Sequence, residues 1–307
     1  MPAPELTLKA IHTLALSSVL ILLAACGTRA PRPDAAPSIT IASWNIEHLA
    51  AAEGSGCRPR SDSDYAALRA HADALDADVI AFQEVESISA AQRVFTPERY
   101  DVVMSSRPAS GRQSYCRRDA TAGLMIRNQG VGIAIRKGIA FTRHADLDAL
   151  ALGDPDLRWG VDVTLRPTGA DPLRVLALHL KSGCARGDQA EACPTLFDQV
   201  PVLQSWIAER QSEGIAFALV GDWNRRLTLP DDAVWRRLGE VSGDSLVAAA
   251  GARGATCKQR YPDFIDHIVL DSRAFRRMLA DSFAEYTYGL PEDEHPSDHC
   301  PVSVRLR

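Results

Sequence analysis

The sequence predicts one α/β domain over residues 38–307. Three observations carry that prediction: nine short runs with strand character, two amphipathic helical patterns set among them, and no internal repeat or second linker. A chain of 307 residues, 46% hydrophobic and 24% charged, is long and apolar enough to bury one extensive core. Wholesale disorder is excluded.

The chain opens differently from the way it continues. Leu14–Cys26 (LALSSVLILLAAC) is an apolar run too short to span a bilayer comfortably, and it ends in small residues as a secretory signal does. Residues 1–25 are therefore expected to be a signal peptide. Leu23-Ala24-Ala25-Cys26 resembles the bacterial lipoprotein lipobox, which implies lipidation of Cys26 and a membrane anchor at the cell envelope, facing the periplasm or exterior. Plain secretion is the alternative. Gly27–Pro37, rich in Pro and Ala and without periodicity, reads as a tether, so residues 26–37 join the lipid to the domain.

Strand character then recurs in SITIASWN (38–45), ADVIAFQEV (77–85), YDVVM (100–104), GVGIAIR (130–136), GVDVTLR (160–166), LRVLALHL (173–180), IAFALVGDWN (215–224), DFIDHIVL (263–270) and CPVSVRLR (300–307). Val79-Ile80-Ala81-Phe82 is apolar on both faces and reads as a central strand. Val302, Val304 and Leu306 alternate with Ser303, Arg305 and Arg307, the pattern of a half-exposed one. Leu68, Ala72 and Leu75 fall at helical spacing within residues 63–76, and Leu196, Val200, Leu203, Trp206 and Ile207 do so within 194–211.

Net charge is −5, and removing residues 1–25 takes away Glu5 and Lys9 and leaves it unchanged, so the domain is not a polyanion binder by overall charge. Locally, Arg107, Arg112, Arg117, Arg118, Arg127, Arg136, Lys137 and Arg143 stand against Asp119 alone, which makes the segment +7. It is either a solvated basic loop or a surface facing phosphates. Of the seven cysteines, Cys184 and Cys193 bracket a short loop and are the first expected disulfide; Cys57 and Cys116, both in irregular segments, are the second. Cys257 and Cys300 are either bonded or buried thiols.

Five of the strand runs end in, or carry near one end, a polar residue able to bind a metal or phosphate or to move a proton. They are Asn45, Gln83-Glu84, His179, Asp222 with Asn224, and Asp266, and Asp298-His299 follows just before the last strand. Each alone has an ordinary explanation as a cap, a solvated carboxylate or a hydrogen-bonded core histidine. Recurring together at strand ends, they define a site. In a strand, residues i and i+2 point to one side, so Asp222 and Asn224 are expected to converge on a ligand while Trp223 turns away.

In order and spelling, Asn45, Gln83-Glu84, His179, Gly221-Asp222-Trp223-Asn224, Ile265-Asp266 and Ser297-Asp298-His299 resemble the endonuclease/exonuclease/phosphatase superfamily. That group includes deoxyribonuclease I, AP endonucleases, sphingomyelinases and inositol polyphosphate 5-phosphatases. The resemblance covers residues 38–307 and implies a four-layer α/β sandwich, with two packed mixed β-sheets flanked by helices. Trp223 stands where Phe is usual, and Glu86 where deoxyribonuclease I carries a basic residue.

What the resemblance implies chemically is a hydrolase for phosphodiesters using Mg²⁺ or Mn²⁺. Glu84 would hold the metal, with Asn45 and Asp298 assisting, since oxygen donors suit such hard cations; Glu47, two after Asn45 and so on its side of the strand, is expected as an outer ligand. His299 would be the general base, with Asp266 on its other ring nitrogen. Asp222 would orient the water, while Asn45, Asn224 and His179 would bind the phosphate. The partner is expected to be nucleic acid rather than phospholipid, and the protein a monomer. A sphingomyelinase-like or inositol phosphoesterase activity is the first alternative. An inactive phosphate- or lipid-binding envelope module is the second, and it would require the loss of Glu84, Asp222, Asp266 or His299; all four are present.

Overall fold

Alternation along the strands decides which face meets which layer. The computed structural model describes residues 1, 37–109, 114–116, 118–242 and 245–307. In chain order the elements are β1 (Ile39–Leu49), α1 (Asp62–Leu75), β2 (Val79–Val85), α2 (Ile88–Gln92), β3 (Tyr100–Met104), β4 (Ser114–Tyr115), β5 (Met125–Ile126), β6 (Gly130–Arg136) and β7 (Ala140–Arg143). They continue with β8 (Val161–Arg166), β9 (Leu173–His179), α3 (Cys193–Glu213), β10 (Phe217–Asp222), α4 (Ala233–Ser242), β11 (Leu246–Ala248), β12 (Asp266–Asp271), α5 (Ser272–Arg277), β13 (Ala284–Glu285) and β14 (Val302–Leu306).

Two six-stranded sheets result, ordered β13-β14-β1-β2-β6-β3 and β11-β12-β10-β9-β8-β7. Both are mixed, since β1–β2 and β9–β10 run parallel while the other pairs are antiparallel. Ile41, Val79, Ile133, Val175, Ala177, Ala218, Val220 and Val304 fill the space between the sheets. Their neighbours in sequence point the other way, as a period of two requires. Ala42, Trp44 and Phe82 pack with Leu68 of α1 and with Ala90 and Ala91 of α2, whereas Leu176, Leu178 and Leu219 pack with Leu196 and Leu203 of α3 and Leu238 of α4. The layers are helix, sheet, sheet and helix, the expected four. Residues 36–307 form one compact unit.

Helix α1 starts where the sequence signals it, with Ser61 and Asp64 completing a reciprocal capping box. The predicted strand 215–224 is shorter than its pattern. It ends at Asp222, after which Asn224 takes a left-handed φ of 51°. Gly221 lies within the strand, and its role is close approach: a Cβ there would sit 2.0 Å from the Leu178 carbonyl oxygen of β9.

All three cysteine pairs are disulfides: Cys57–Cys116, Cys184–Cys193 and Cys257–Cys300. The first ties the small β4–β5 flap to the loop after β1. Cys26, the signal peptide and the tether at 26–36 lie outside the described residues, as do Arg112 and Arg117.

Candidate active site

Sheet register assembles half of the site. Asp222 of β10 is the cross-strand neighbour of His179 on β9 and of Asp266 on β12, so three polar groups stand side by side at the ends of adjacent strands. Asn45 of β1 comes from the other sheet, and its Nδ2 donates to Asp222 Oδ2 at 3.0 Å, bridging the two sheets. The Asn45 Oδ1 accepts from the Glu47 N–H at 3.0 Å.

Bulges supply the rest. The β1–β2 register shifts between Asn45 and Leu49, and the β2–β6 register shifts between Phe82 and Val85. Glu47, His48 and Glu84 all carry left-handed φ values, of 47°, 52° and 61°. Bulges re-aim side chains that a regular strand would send elsewhere. Glu84 turns toward His48, whose N–H and Nδ1 both lie 3.2 Å from Glu84 Oε2, while Glu84 Oε1 is 4.0 Å from His179 Nε2.

His299 closes the cluster from the loop before β14. Its Nδ1 is 2.6 Å from Asp266 Oδ2, and its Nε2 lies 3.9 Å from Asp222 Oδ2 and 3.8 Å from Asp298 Oδ1. Asp222 also sits 3.5 Å from His179 Nε2. The structure thus brings together Asn45, Glu84, His179, Asp222, Asp266, Asp298 and His299.

Two expectations need correcting. Asn224 does not extend the strand beside Asp222; its N–H donates to Asp222 Oδ1 at 2.8 Å and its Nδ2 to the Leu180 carbonyl at 3.2 Å, which makes it a brace of the Asp222 turn in this geometry. One Nδ2 hydrogen is left for a phosphate. Glu47, expected on the side of Asn45, is committed to other partners in this geometry. The bulge carries its buried carboxylate to Arg58, to Arg118 at 3.5 Å and to the Asp298 N–H at 2.9 Å. Trp223 is buried on the helix side, as expected.

Electrostatics divides the two histidines. Burial, reinforced by Arg158 and His299, holds His179 well below the ordinary histidine range. Burial opposes a charge on His299 too, but the Asp266 and Asp222 carboxylates outweigh it and hold the imidazole well above that range. Burial and then the Asp266 carboxylate push Asp222 up to about 7. Burial thus favours the neutral form of His179, while the neighbouring carboxylates favour the protonated form of His299.

The donor set suits a hard cation. Glu84 is partly exposed, and Asp222, Asp266 and His299 offer ligand atoms within 4.8 Å of one another. Carboxylates so crowded repel unless a proton or cation lies among them, and Asp266 Oδ1 is buried without a hydrogen-bond partner. Asn45 has one oxygen lone pair uncommitted.

A cavity of about 480 Å³ is lined by Glu47, His48, Arg107, Arg118, Arg127, Arg158 and Lys181, among others; the seven clustered residues do not line it, and Glu47, His48 and Arg158 connect it to them. The basic segment is not one patch. Arg136 pairs with Asp76 and Asp78, Lys137 with Asp101 and Arg143 with Asp146, all away from the cavity. Only Arg107, Arg118 and Arg127 of its described members line it. The sequence reading missed His48 and Arg158. Arg158 is buried, and its guanidinium donates to the His179 carbonyl at 3.3 Å and to that of Leu180. No local pattern marks it; only the fold brings it across to β9.

Carboxylates, imidazoles and a carboxamide gathered at the ends of strands from two packed sheets, with an arginine-lined cavity connected to them through Glu47, His48 and Arg158, define a class: α/β sandwiches built to handle an anionic group. The chain belongs to the Endonuclease/Exonuclease/phosphatase family, whose model matches residues 42–299. No curated protein matches it in sequence. Among solved structures it is similar to truncated Caenorhabditis elegans TDP2, with 16% identity over 88% of this chain and 97% of that one and a TM-score of 0.59. The human Nocturnin catalytic domain with bound sulfate anion shares 17% identity over 88% and 93%, with a TM-score of 0.59. AP endonuclease LMAP from Leishmania major shares 15% over 88% of each chain, with a TM-score of 0.58. At such identities these likenesses establish the fold.

Proposed function

We propose that the protein is a divalent-cation-dependent phosphodiesterase acting on nucleic acid. One observation carries the reading: His299, bonded through Nδ1 to Asp266, brings its Nε2 within 3.9 Å of Asp222, which Asn45 holds from the other sheet. His299 first gives to solvent the proton that its carboxylate neighbours favour; its Nε2 then takes the proton of the attacking water, and Asp266 keeps the ring oriented and stabilises the imidazolium that forms. Asp222 lies within reach of both imidazoles and orients that water. Neutral His179 donates a hydrogen bond to a phosphate oxygen, with Asn45 and the free Asn224 hydrogen beside it. Glu84 and Asp298, with Asn45 assisting, would hold Mg²⁺ or Mn²⁺, which would supply positive charge for the phosphoryl oxygens.

Nucleic acid is favoured over a membrane lipid by the cavity's cations and by the segment before His299, where Glu292–Glu294 is acidic rather than apolar. Anchoring of the protein at the cell envelope through Cys26 is part of the same proposal. It rests on the lipobox-like sequence Leu23-Ala24-Ala25-Cys26. Cys26→Ala should leave the membrane fraction; retention after a high-salt wash would discount the anchor.

The decisive assay offers DNA, RNA, sphingomyelin, inositol phosphates and a chromogenic phosphodiester in parallel, with Mg²⁺ and with excess EDTA. Cleavage of DNA or RNA that EDTA abolishes is the expected result. Hydrolysis of sphingomyelin alone would transfer the assignment to lipid, and turnover in EDTA would remove the cation.

A further inference from the structure

The loop carrying His299 is fixed at four successive residues. Ser297 Oγ donates to the Asn45 carbonyl at 2.7 Å, the Asp298 N–H is held by Glu47, and Cys300 is bonded to Cys257. The peptide of His299 itself is gripped at both ends: its N–H donates to Ser297 Oγ at 3.1 Å, and its carbonyl accepts from the Tyr288 hydroxyl at 2.6 Å. That hydroxyl in turn accepts from Trp44 Nε1 at 2.9 Å. Trp44 and Asn45 are consecutive residues of β1, so one strand supplies a site carboxamide on one face and, through the indole, a stop for the general base on the other.

We propose that Tyr288 and Trp44 are positioning residues for His299, a role that rests on the phosphodiesterase reading. The Tyr288 ring is buried and packed edge-on against His71 and His295, with centroids 5.0 and 5.1 Å away. Burial holds its pKa far above the ordinary tyrosine value, so the hydroxyl keeps its proton and remains a donor. With its one proton given to the His299 carbonyl and a lone pair taken by Trp44, the phenol has a single low-energy orientation. The chain Trp44–Tyr288–His299 therefore transmits the rigidity of β1 to the imidazole, whose Nδ1 must meet Asp266 and whose Nε2 must meet water.

Tyr288→Phe keeps the ring and deletes only the hydroxyl. The expected result is a kcat about tenfold lower with KM within about twofold, since a small misplacement of a positioned base acts on turnover more than on binding. Trp44→Phe, which deletes the indole donor, should lower kcat in the same direction. The second readout needs no turnover: in histidine-labelled protein, the downfield Nδ1 proton of the short His299–Asp266 hydrogen bond, assigned by its loss in His299→Ala, should shift upfield or vanish in Tyr288→Phe. If that resonance stays in place, the clamp is wrong whatever the substrate proves to be. Absence of phosphodiesterase activity in the unmodified protein beside a shifted resonance would uphold the clamp and refute the activity. A lower melting temperature with kcat and the resonance unchanged would make Tyr288 merely structural.

Discussion

Replacing Gly221 by alanine tests whether the site depends on the approach of β9 to β10. The added methyl carbon would lie 2.0 Å from the Leu178 carbonyl oxygen, 2.9 Å from its carbon and 3.1 Å from its nitrogen, all backbone atoms of a central strand. No side chain can swing aside, so the strands must part by more than an ångström at that level. Overpacking of a rigid core costs about 1–3 kcal/mol, and a backbone clash this deep belongs at the top of that range. For a domain of this size 1 kcal/mol moves the melting temperature by about 2–4 °C, which sets the expected loss at roughly 6–12 °C. The functional cost is larger in proportion. Leu178 precedes His179 and Gly221 precedes Asp222, so parting the strands opens the 3.5 Å approach of His179 Nε2 to Asp222. Differential scanning calorimetry and turnover of a chromogenic diester measure both effects. A variant that melts within about 2 °C of the parent and keeps its rate would refute the claim that Gly221 is held by close packing.

Other perturbations separate the roles. Glu84→Gln and His299→Ala should each lower kcat by ~10² or more without unfolding the domain, and a near-normal rate in His299→Ala would end its assignment as base. Asp222 and His299 both bind protons more tightly folded than unfolded, so without a divalent cation stability should fall as pH rises, through Asp222 from the unfolded carboxylate range to about 7 and through His299 from the unfolded histidine range upward. Asp222→Asn should flatten that fall between about pH 4 and 7 in urea titrations, and an unchanged slope would contradict it. Cleavage of DNA at subsaturating substrate should decline steeply with salt. Arg118→Ser with Arg127→Ser should reduce that slope by about one for each phosphate no longer neutralised, while a small diester is unaffected. Equal losses on both substrates would make these arginines structural. Replacing Cys184 and Cys193 by serine should cost ~3 kcal/mol at most and spare kcat, because the pair closes only the loop after His179.

What could be read from the sequence was whatever the chain encodes within a few residues. Alternation located all nine strand runs, and the polar residues ending them needed only the inference that strand ends of a sandwich meet. Where the Glu47 side chain goes is not legible, because period-two reasoning assumes a regular strand, and the left-handed φ values at Glu47 and His48 break that period. Asn224 was misplaced for a related reason: its φ of 51° turns the chain where the pattern continues a strand. The +7 segment divides between its two readings, with Arg107, Arg118 and Arg127 lining the cavity and the other described members paired elsewhere. Its charges are close in sequence, but β6 and β7 carry Arg136, Lys137 and Arg143 to acids outside the cavity. Arg158 and Tyr288 were invisible, since each acts through a backbone carbonyl that only the fold brings near.

The bond from Asn45 to Asp222 joins residues 177 apart in the chain and belongs to different sheets at its two ends. It places the chemistry at the seam where the sheets meet, with burial and the neighbouring Asp266 opposing ionisation of Asp222. A seam of that kind is a poor place for a carboxylate unless the site has a use for its charge. The surrounding construction fits such a use: Asn45 orients Asp222 from one sheet, His179 and Asp266 flank it within the other, and the pinned loop delivers His299. Apolar contacts alone would hold the two sheets together, as the core between them does elsewhere. The polar end is therefore a departure from the most stable packing, and its residues are the ones whose replacement should remove turnover before it removes the fold.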